Sequence, residues 1–83
     1  MNTSKYTYHT YLGIDFTPRE IEYLQQLALG KTSKGIAKTL FVSYRTVEFY
    51  VEKLKLKTGC RNKLELVIWA ANFGISDKDI LLH

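Results

Sequence analysis

The sequence has 83 residues, a net charge of +4 and a single cysteine. A chain of this length is expected to form one domain with a modest core, too small to include a separate catalytic or sensor domain. One cysteine excludes a disulfide framework and a cysteine-based zinc site, so we expect a reducing, cytoplasmic location. The longest apolar run, residues 66–71, is too short to span a membrane, and the first fifteen residues lack the apolar segment of a signal peptide.

Positive charge is concentrated in the middle of the chain. Residues 31–63 contain nine Lys or Arg against two acids, Glu48 and Glu52, which leaves +7, whereas the flanks hold three bases and six acids, or −3. A basic section of this kind is expected of a protein that binds a polyanion. Charge alone fits an ordinary solvated face equally well, so the residue pattern has to decide.

Residues 1–15 show no helical period and are predicted to form a poorly structured arm or linker, with at most a short extended piece. The predicted domain, residues 16–83, begins with a helix over about 18–29. Thr17 and Glu20 have the spacing of a capping box, and Pro18 suits the first helical position. Gly30 is a typical helix stop.

The next two predicted helices form a helix-turn-helix. Thr32 is the cap candidate for a short helix over 33–40, in which Gly35 costs about 1 kcal/mol relative to alanine unless a close backbone approach requires it. After three residues, Ser43 caps a longer helix over about 44–58 that Gly59 ends. The inward face of this helix is predicted from its apolar period, with Val47, Tyr50, Val51 and Leu54. A short helix, a tight turn and a longer helix is the arrangement of many DNA-binding proteins, although small helical domains of other kinds share it.

A fourth helix is predicted between Asn62 and Gly74. Asn62 and Glu65 again have capping-box spacing, and the helix has too much apolar surface for a single packed face. Val67 and Ala71 are the expected core residues, and Cys60 just before the helix is expected to be a small buried residue. Residues 76–82 could add a last short helical turn.

The order of short motifs is more specific than the helix pattern. The chain reads F-T-P-R-E from Phe16, G-K-T-S-K-G-I-A from Gly30, V-S-Y-R-T-V from Val42 and K-T-G-C-R-N-K from Lys57. Over residues 16–74 this order closely resembles the C-terminal helix-turn-helix domain of the LuxR/GerE, or NarL-type, bacterial regulators. The resemblance implies an all-α, four-helix domain that acts as a sequence-specific DNA-binding transcription regulator, with helix 44–58 in the major groove.

The chain departs from the family pattern at four positions. Gly35 stands where the family usually has glutamate, which removes a capping partner of Thr32, and Phe41 replaces the usual glycine of the turn. Thr58 replaces a leucine, which is expected to loosen the end of the third helix. Leu56 is an unusual apolar residue on the outer face.

The resemblance places the outward positions of the third helix against base edges, and here these are Glu48, Phe49 and Glu52. Glutamate can accept a hydrogen bond from the N4 amino group of cytosine, and phenylalanine can pack against the methyl group of thymine. The alternative for the two acids is that they only maintain solubility or disfavour wrong sequences.

Phosphate contacts are predicted around the start of the second helix, where free N–H groups and the helix dipole favour an anion, and around the recognition helix. The predicted residues are Thr32, Ser33, Lys34, Tyr44, Arg45, Thr46, Tyr50 and Lys53. Each of them could also be ordinary surface. Arg45 has the specific alternative of an ion pair with Glu20 or another acid of the domain.

The resemblance also implies a homodimer on double-stranded DNA, formed through the fourth helix by Arg61, Leu64, Ile68 and Trp69, although Trp69 fits the core equally well. RNA polymerase is a further candidate partner. No membrane partner, cofactor, metal site or catalytic constellation is expected. The rival hypothesis is a protein-interaction module that binds another regulator, because Phe49, Leu56 and the acids dilute the positive field. A sigma-like fragment of RNA polymerase shares the scaffold but not the motif order.

Overall fold

The computed structural model describes residues 9–11 and 13–72. In these residues a short hairpin precedes four helices, so the expected all-α domain is confirmed with a small β-addition. The elements are β1 (His9–Tyr11), β2 (Ile14–Phe16), α1 (Pro18–Ala28), α2 (Ser33–Leu40), α3 (Tyr44–Thr58) and α4 (Lys63–Asn72).

The hairpin lies in the segment predicted as an arm. β1 and β2 pair antiparallel with Tyr11 opposite Ile14, and Gly13 in the connection has a φ of 80°. β2 ends in Phe16, which is fully buried and meets the ring of Trp69 edge-to-face at 5.6 Å between centroids. The extended piece is therefore anchored to α4. The rest of the predicted arm, residues 1–8 and 12, lies outside the described residues.

α1 begins and ends as its sequence predicts. The Glu20 N–H donates to Thr17 Oγ1 at 3.1 Å and the Thr17 N–H donates to Glu20 Oε1 at 2.9 Å, which completes the capping box. At the other end Gly30 has a φ of 81°, its N–H donates to the Leu27 carbonyl, and the next N–H reaches the Gln26 carbonyl. These two bonds form a Schellman motif, which satisfies carbonyls that the helix end would otherwise leave free.

The turn between α2 and α3 contains an unusual backbone conformation. Thr32 and Ser43 cap the two helices by accepting N–H bonds from Gly35 and Thr46 at 3.1 and 3.0 Å. Between the helices Phe41 has a φ of 58° and a ψ of 47°, the left-handed conformation that usually falls to glycine. The Val42 N–H closes the end of α2 on the Ala37 carbonyl at 3.0 Å.

The end of α3 is tied by a local bond rather than by packing. Thr58 Oγ1 donates to the Leu54 carbonyl at 2.8 Å and accepts the Cys60 N–H at 3.3 Å. Gly59 follows with a φ of 79°, and its N–H reaches the Lys55 carbonyl. The hydroxyl that replaces the family's leucine therefore takes part in the helix end, a contribution that the substitution pattern did not predict.

The core lies where α1 crosses α3 and α4, with α2 packed against α3. Its buried apolar residues are Phe16, Ile21, Tyr23, Leu24, Leu27, Ile36, Val47, Val51, Leu54, Leu66 and Ala70. The prediction for α4 is wrong in part: Ala71 is exposed and Val67 is only half-buried, while Leu66 and Ala70 face the core. A helix that is apolar on most sides does not reveal its inward face by period.

At the start of α4, one of the two hydrogen bonds of the predicted capping box is formed. Asn62 Oδ1 accepts the Glu65 N–H at 2.9 Å, as a cap should. The Glu65 carboxylate returns to the N–H and guanidinium of Arg61 rather than to the Asn62 N–H. The predicted end of this helix at Gly74 and the predicted turn over 76–82 lie outside the described residues.

Candidate nucleic-acid interface

α3 has one buried and one exposed face. Val47, Val51 and Leu54 are buried, as predicted, because three- and four-residue steps return to the same side of an α-helix. The opposite side is exposed and holds Arg45, Phe49, Glu52, Lys53 and Leu56. We call these five residues the outer face of α3. Packing of the buried side thus fixes which side chains are available to a partner.

The three predicted base-contact residues do not share one environment. Phe49 is 61% exposed and contacts the Tyr50 ring edge-on at 5.6 Å. Glu52 is exposed and pairs with Lys55, three residues along the same helix, at 2.8 Å. Glu48 is half-buried, and its Oε2 accepts a hydrogen bond of 2.6 Å from Ser33 Oγ. Of the three, Phe49 and Glu52 are therefore exposed on the outer face, whereas Glu48 is half-buried.

The start of α2 lies beside this face and contains three of the predicted phosphate-contact residues. Thr32 and Lys34 are exposed, and Thr32 Oγ1 caps the helix. Ser33 is buried, with its hydroxyl between Glu48 and Lys63. Two of the three are thus accessible to an anion, and the third is engaged inside the domain.

Three further predicted residues lie in the first turn of α3. Tyr44 and Arg45 are exposed, and within residues 9–11 and 13–72 Arg45 has no ion pair. The Thr46 hydroxyl is 3.0 Å from Ser43 Oγ, and the backbone N–H of Thr46 also donates to that oxygen. Arg45 is therefore a cation without a carboxylate partner in the described structure, whereas Thr46 serves the helix cap.

The alternative that Arg45 pairs with Glu20 is wrong, because two lysines of α3 occupy that carboxylate. Lys57 Nζ donates to Glu20 Oε1 at 2.8 Å, and Lys53 Nζ lies 3.3 Å from Oε2. Burial of Glu20 raises its pKa, but hydrogen bonds from Lys57, the Thr17 N–H and Lys53 outweigh it, so the pKa lies below its ordinary value. This buried pair joins α1 to α3 over 37 residues of sequence, and no local spacing predicts it.

Tyr50 and Lys53 complete the predicted set at the edge of the outer face. Tyr50 is half-buried and stacks on the buried Tyr23 ring, with centroids 4.2 Å apart and planes inclined by 12°. Lys53 lies over the Tyr50 ring at 5.6 Å while it also reaches Glu20. Tyr50 is therefore held by ring stacking, whereas Lys53 is exposed and has contacts with Glu20 and the Tyr50 ring.

The predicted dimer residues of α4 divide into two groups. Leu64 is 67% exposed and Ile68 is 48% exposed, and their four-residue separation puts them on one side of the helix. Arg61 is exposed one turn earlier and pairs with Glu65 at 2.8 Å. Trp69 is half-buried against Phe16, as the core alternative required. The large exposed apolar residues of α4 are therefore Leu64 and Ile68, which we call the exposed patch of α4.

Other kinds of site have little support in the described part of the chain. In residues 9–11 and 13–72 no three His, Cys, Asp or Glu side chains are placed to bind one metal ion, and no helix is long and apolar enough to cross a membrane. Cys60 is half-buried at the edge of the core.

The short α2, the tight turn and an α3 with one exposed face define a helix-turn-helix domain. Residues 15–70 match the model of the family "Bacterial regulatory proteins, luxR family", known as GerE. The chain belongs to this family, which consists of transcription regulators and not of enzymes.

Individual relatives agree with this membership. The chain is 42% identical over 64 residues to the response regulator Rre1 of Synechocystis sp., a match over 77% of this chain and 28% of the relative. It is 48% identical over 59 residues to the probable transcriptional regulator ycf29 of Cyanophora paradoxa, over 71% of this chain and 28% of the relative. It is also 37% identical over 67 residues to the quorum sensing-dependent transcriptional regulator VjbR of Brucella ovis, over 81% of this chain and 26% of the relative. The matches thus cover only about a quarter of these relatives' lengths.

Proposed function

We propose that this chain binds double-stranded DNA sequence-specifically, with α3 in the major groove, and regulates transcription in the bacterial cytoplasm. The observation that carries the proposal is the outer face of α3, which is exposed along the helix on the most basic section of the chain. An α-helix fits the width of the major groove, and a basic surround neutralises the flanking phosphates. The names of the relatives support a role in regulation.

Bases are read by the exposed side chains of the outer face. Phe49 packs on a thymine methyl and Glu52 accepts from a cytosine amino group, for which it only has to leave its solvent-exposed pair with Lys55. Glu48 is left out of this set because one of its carboxylate oxygens is engaged with Ser33.

Phosphates are bound on both sides of that helix. Lys34 and the capped start of α2 meet one backbone segment, where the helix dipole adds to the lysine charge. The other backbone segment is bound by four residues of α3, Tyr44, Arg45, Tyr50 and Lys53. Ser33 and Thr46 are left out of the phosphate contacts because their hydroxyls are already bonded inside the domain.

A second copy of the chain binds through the exposed patch of α4, Leu64 and Ile68, with Arg61 at its rim. Two side chains form a much smaller contact than the roughly 1,600 Å² of a standard stable interface, so pairing is expected on DNA rather than in dilute solution. RNA polymerase is a further candidate partner of the DNA-bound dimer.

Titration of DNA affinity against salt tests the proposal. The logarithm of the binding constant should fall linearly with the logarithm of salt concentration, because bound lysines and arginines release counterions. Lys34→Ala should make the slope shallower by about 0.9 and weaken specific and random DNA alike. Lys34→Arg keeps the charge and should leave the slope unchanged. An unchanged slope in Lys34→Ala would remove this lysine from the phosphate contacts.

The rival function, binding of another protein, is favoured by one observation. Phe41, Phe49 and Leu56 are large apolar residues that are more than half exposed at or near the outer face. Such surface can bind an apolar groove of a partner. DNA affinity that does not depend on salt, together with salt-insensitive binding to a protein, would favour this function over the first.

A further inference from the structure

A chain of hydrogen bonds connects three helices at the base of the recognition helix. Ser33 Oγ donates to Glu48 Oε2 at 2.6 Å and accepts from Lys63 Nζ at 2.9 Å. Ser33 is only 5% exposed and is the first residue of α2, and Lys63 is the first residue of α4. A hydroxyl has one proton to donate and lone pairs to accept, so the serine uses both capacities between an anion and a cation.

The two acids of α3 are therefore in different states. Glu48 is half-buried and held by a buried donor from another helix, and the Lys63 charge compensates it through that donor. Glu52 is 64% exposed, and among the residues that the structure describes its one ion pair lies within its own helix. A solvated pair of that kind is weak and breaks readily when a partner arrives, whereas a bond to a buried donor does not.

We propose that Ser33 is a specificity-determining positioning residue. It holds the Glu48 carboxylate at the junction of α2, α3 and α4, so that Glu52 is the acid that meets base edges. Without Ser33 the Glu48 carboxylate becomes a second free acid beside the DNA, where it meets an unintended base or repels phosphates. This inference rests on the proposed binding of DNA through α3.

The same hydrogen bonds connect α4, which is proposed to pair two copies of the chain, with α3, which is proposed to read bases. Lys63 directly precedes Leu64 in the exposed patch of α4, and Glu48 directly precedes Phe49 in the outer face. The Ser33 hydroxyl therefore lies between the two proposed binding surfaces.

The test compares four variants of the full chain on a duplex selected from random DNA and on its single-base variants. Glu52→Gln should reduce the preference at one base pair by about tenfold, as expected for loss of a good base contact. Glu48→Gln is the matched control, with the same loss of charge on the same helix, and should leave every base preference within about twofold. Far-ultraviolet circular dichroism confirms that each variant is folded.

Ser33→Ala and the double variant Ser33→Ala/Glu48→Gln complete the design. Ser33→Ala should weaken binding to the selected duplex by about tenfold or create a new base preference, because the Glu48 charge is released. Adding Glu48→Gln should bring binding back to within about twofold of the single Glu48→Gln variant. If Ser33 only supported the fold, removal of the Glu48 charge would not restore the binding lost in Ser33→Ala.

Two results would overturn the inference while leaving the proposed function in place. One is a changed base preference in Glu48→Gln like that in Glu52→Gln, which would mean that Glu48 reads bases itself. The other is equal loss of binding in Ser33→Ala and in the double variant. Failure of the unaltered chain to bind any duplex would instead overturn the proposed function, and this inference with it.

Discussion

Phe41 is predicted to destabilise the domain through its backbone conformation. At a φ of 58° and a ψ of 47° its Cβ crowds the following carbonyl oxygen, a cost of about 1–2 kcal/mol for a residue other than glycine. Its side chain is 94% exposed and contributes almost no packing. Phe41→Gly should remove the strain, offset by about 0.5–1 kcal/mol for the greater freedom of glycine in the unfolded chain. The net expectation is a gain of about 0.5–1 kcal/mol in the free energy of unfolding.

A matched control separates strain from the loss of the ring. Phe41→Ala also removes the aromatic ring but keeps a Cβ in the left-handed conformation, so its stability should stay within about 0.5 kcal/mol of the unaltered chain. Gly59→Ala is the reverse experiment, because Gly59 has a φ of 79° and an added Cβ would meet no atom within 4 Å. It should lose about 1 kcal/mol from backbone strain alone.

Urea and thermal unfolding followed by far-ultraviolet circular dichroism measure these differences. Phe41→Gly should raise the Tm by about 2–8 °C, given about 4–8 °C per kcal/mol for a domain of this size. If Phe41→Gly were no more stable than Phe41→Ala, the strain would not exceed the offset of about 0.5–1 kcal/mol from the freedom of glycine, and the expected net gain would be refuted. A loss of DNA affinity common to both variants would identify the ring as part of the binding surface.

Three further predictions concern the cap of α2, the buried carboxylate and α4. Gly35→Ala should stabilise the chain by about 0.5–1 kcal/mol in the same unfolding assay, because an added Cβ meets Thr32 Oγ1 at 3.4 Å and Lys31 Cβ at 3.9 Å, which are ordinary contacts. Glu20→Gln should lower the free energy of unfolding by about 1.5–3 kcal/mol at neutral pH, because a buried carboxylate loses its charge-assisted contacts with two partly exposed lysines. The pKa of Glu20 is lower in the folded chain, so its contribution to the free energy of unfolding is present above the unfolded pKa and disappears as the pH falls through the folded pKa. The Glu20→Gln variant should therefore lose less stability on acidification than the unaltered chain. An equal loss in the two proteins would contradict the pairing. Ile68→Glu should abolish cooperative binding to a duplex with two half-sites in a gel-shift titration. Leu29→Glu is the control, because Leu29 is also an exposed apolar residue but lies at the end of α1, and it should leave cooperativity unchanged.

The helix boundaries were predictable because they depend on neighbouring residues. Thr17 with Glu20, Gly30, Ser43 and Gly59 all act within about one helical turn of the chain, and each does in the structure what its position predicts. The buried face of α3 was predictable for a similar reason, since its apolar residues recur at helical spacing.

The contacts between helices were not predictable in the same way. Glu20 and Lys57 are 37 residues apart, and Ser33 meets Lys63 across 30, so no period in the sequence relates them. The hydrogen bond from Ser33 to Glu48 is of the same kind, because helical spacing gives the direction of a side chain but not the donor that another helix brings to it.

The inward face of α4 was not predictable for a different physical reason. Its apolar residues surround most of the helix, so Leu66 and Ala70 are as plausible an inward pair as the predicted Val67 and Ala71 until the rest of the core is placed. The hairpin was foreseen only as a short extended piece, because strands of three residues are too brief to show an alternating pattern.

Selection of bound duplexes from random DNA tests the central proposal most directly. The chain should enrich one sequence motif with two related half-sites about one helical turn apart, because two copies would present their α3 helices to successive major grooves. Enrichment of such a motif, and its loss when Phe49 and Glu52 are both changed to alanine, is the result predicted. Bound duplexes with the same base composition as the starting pool would contradict sequence-specific recognition by α3.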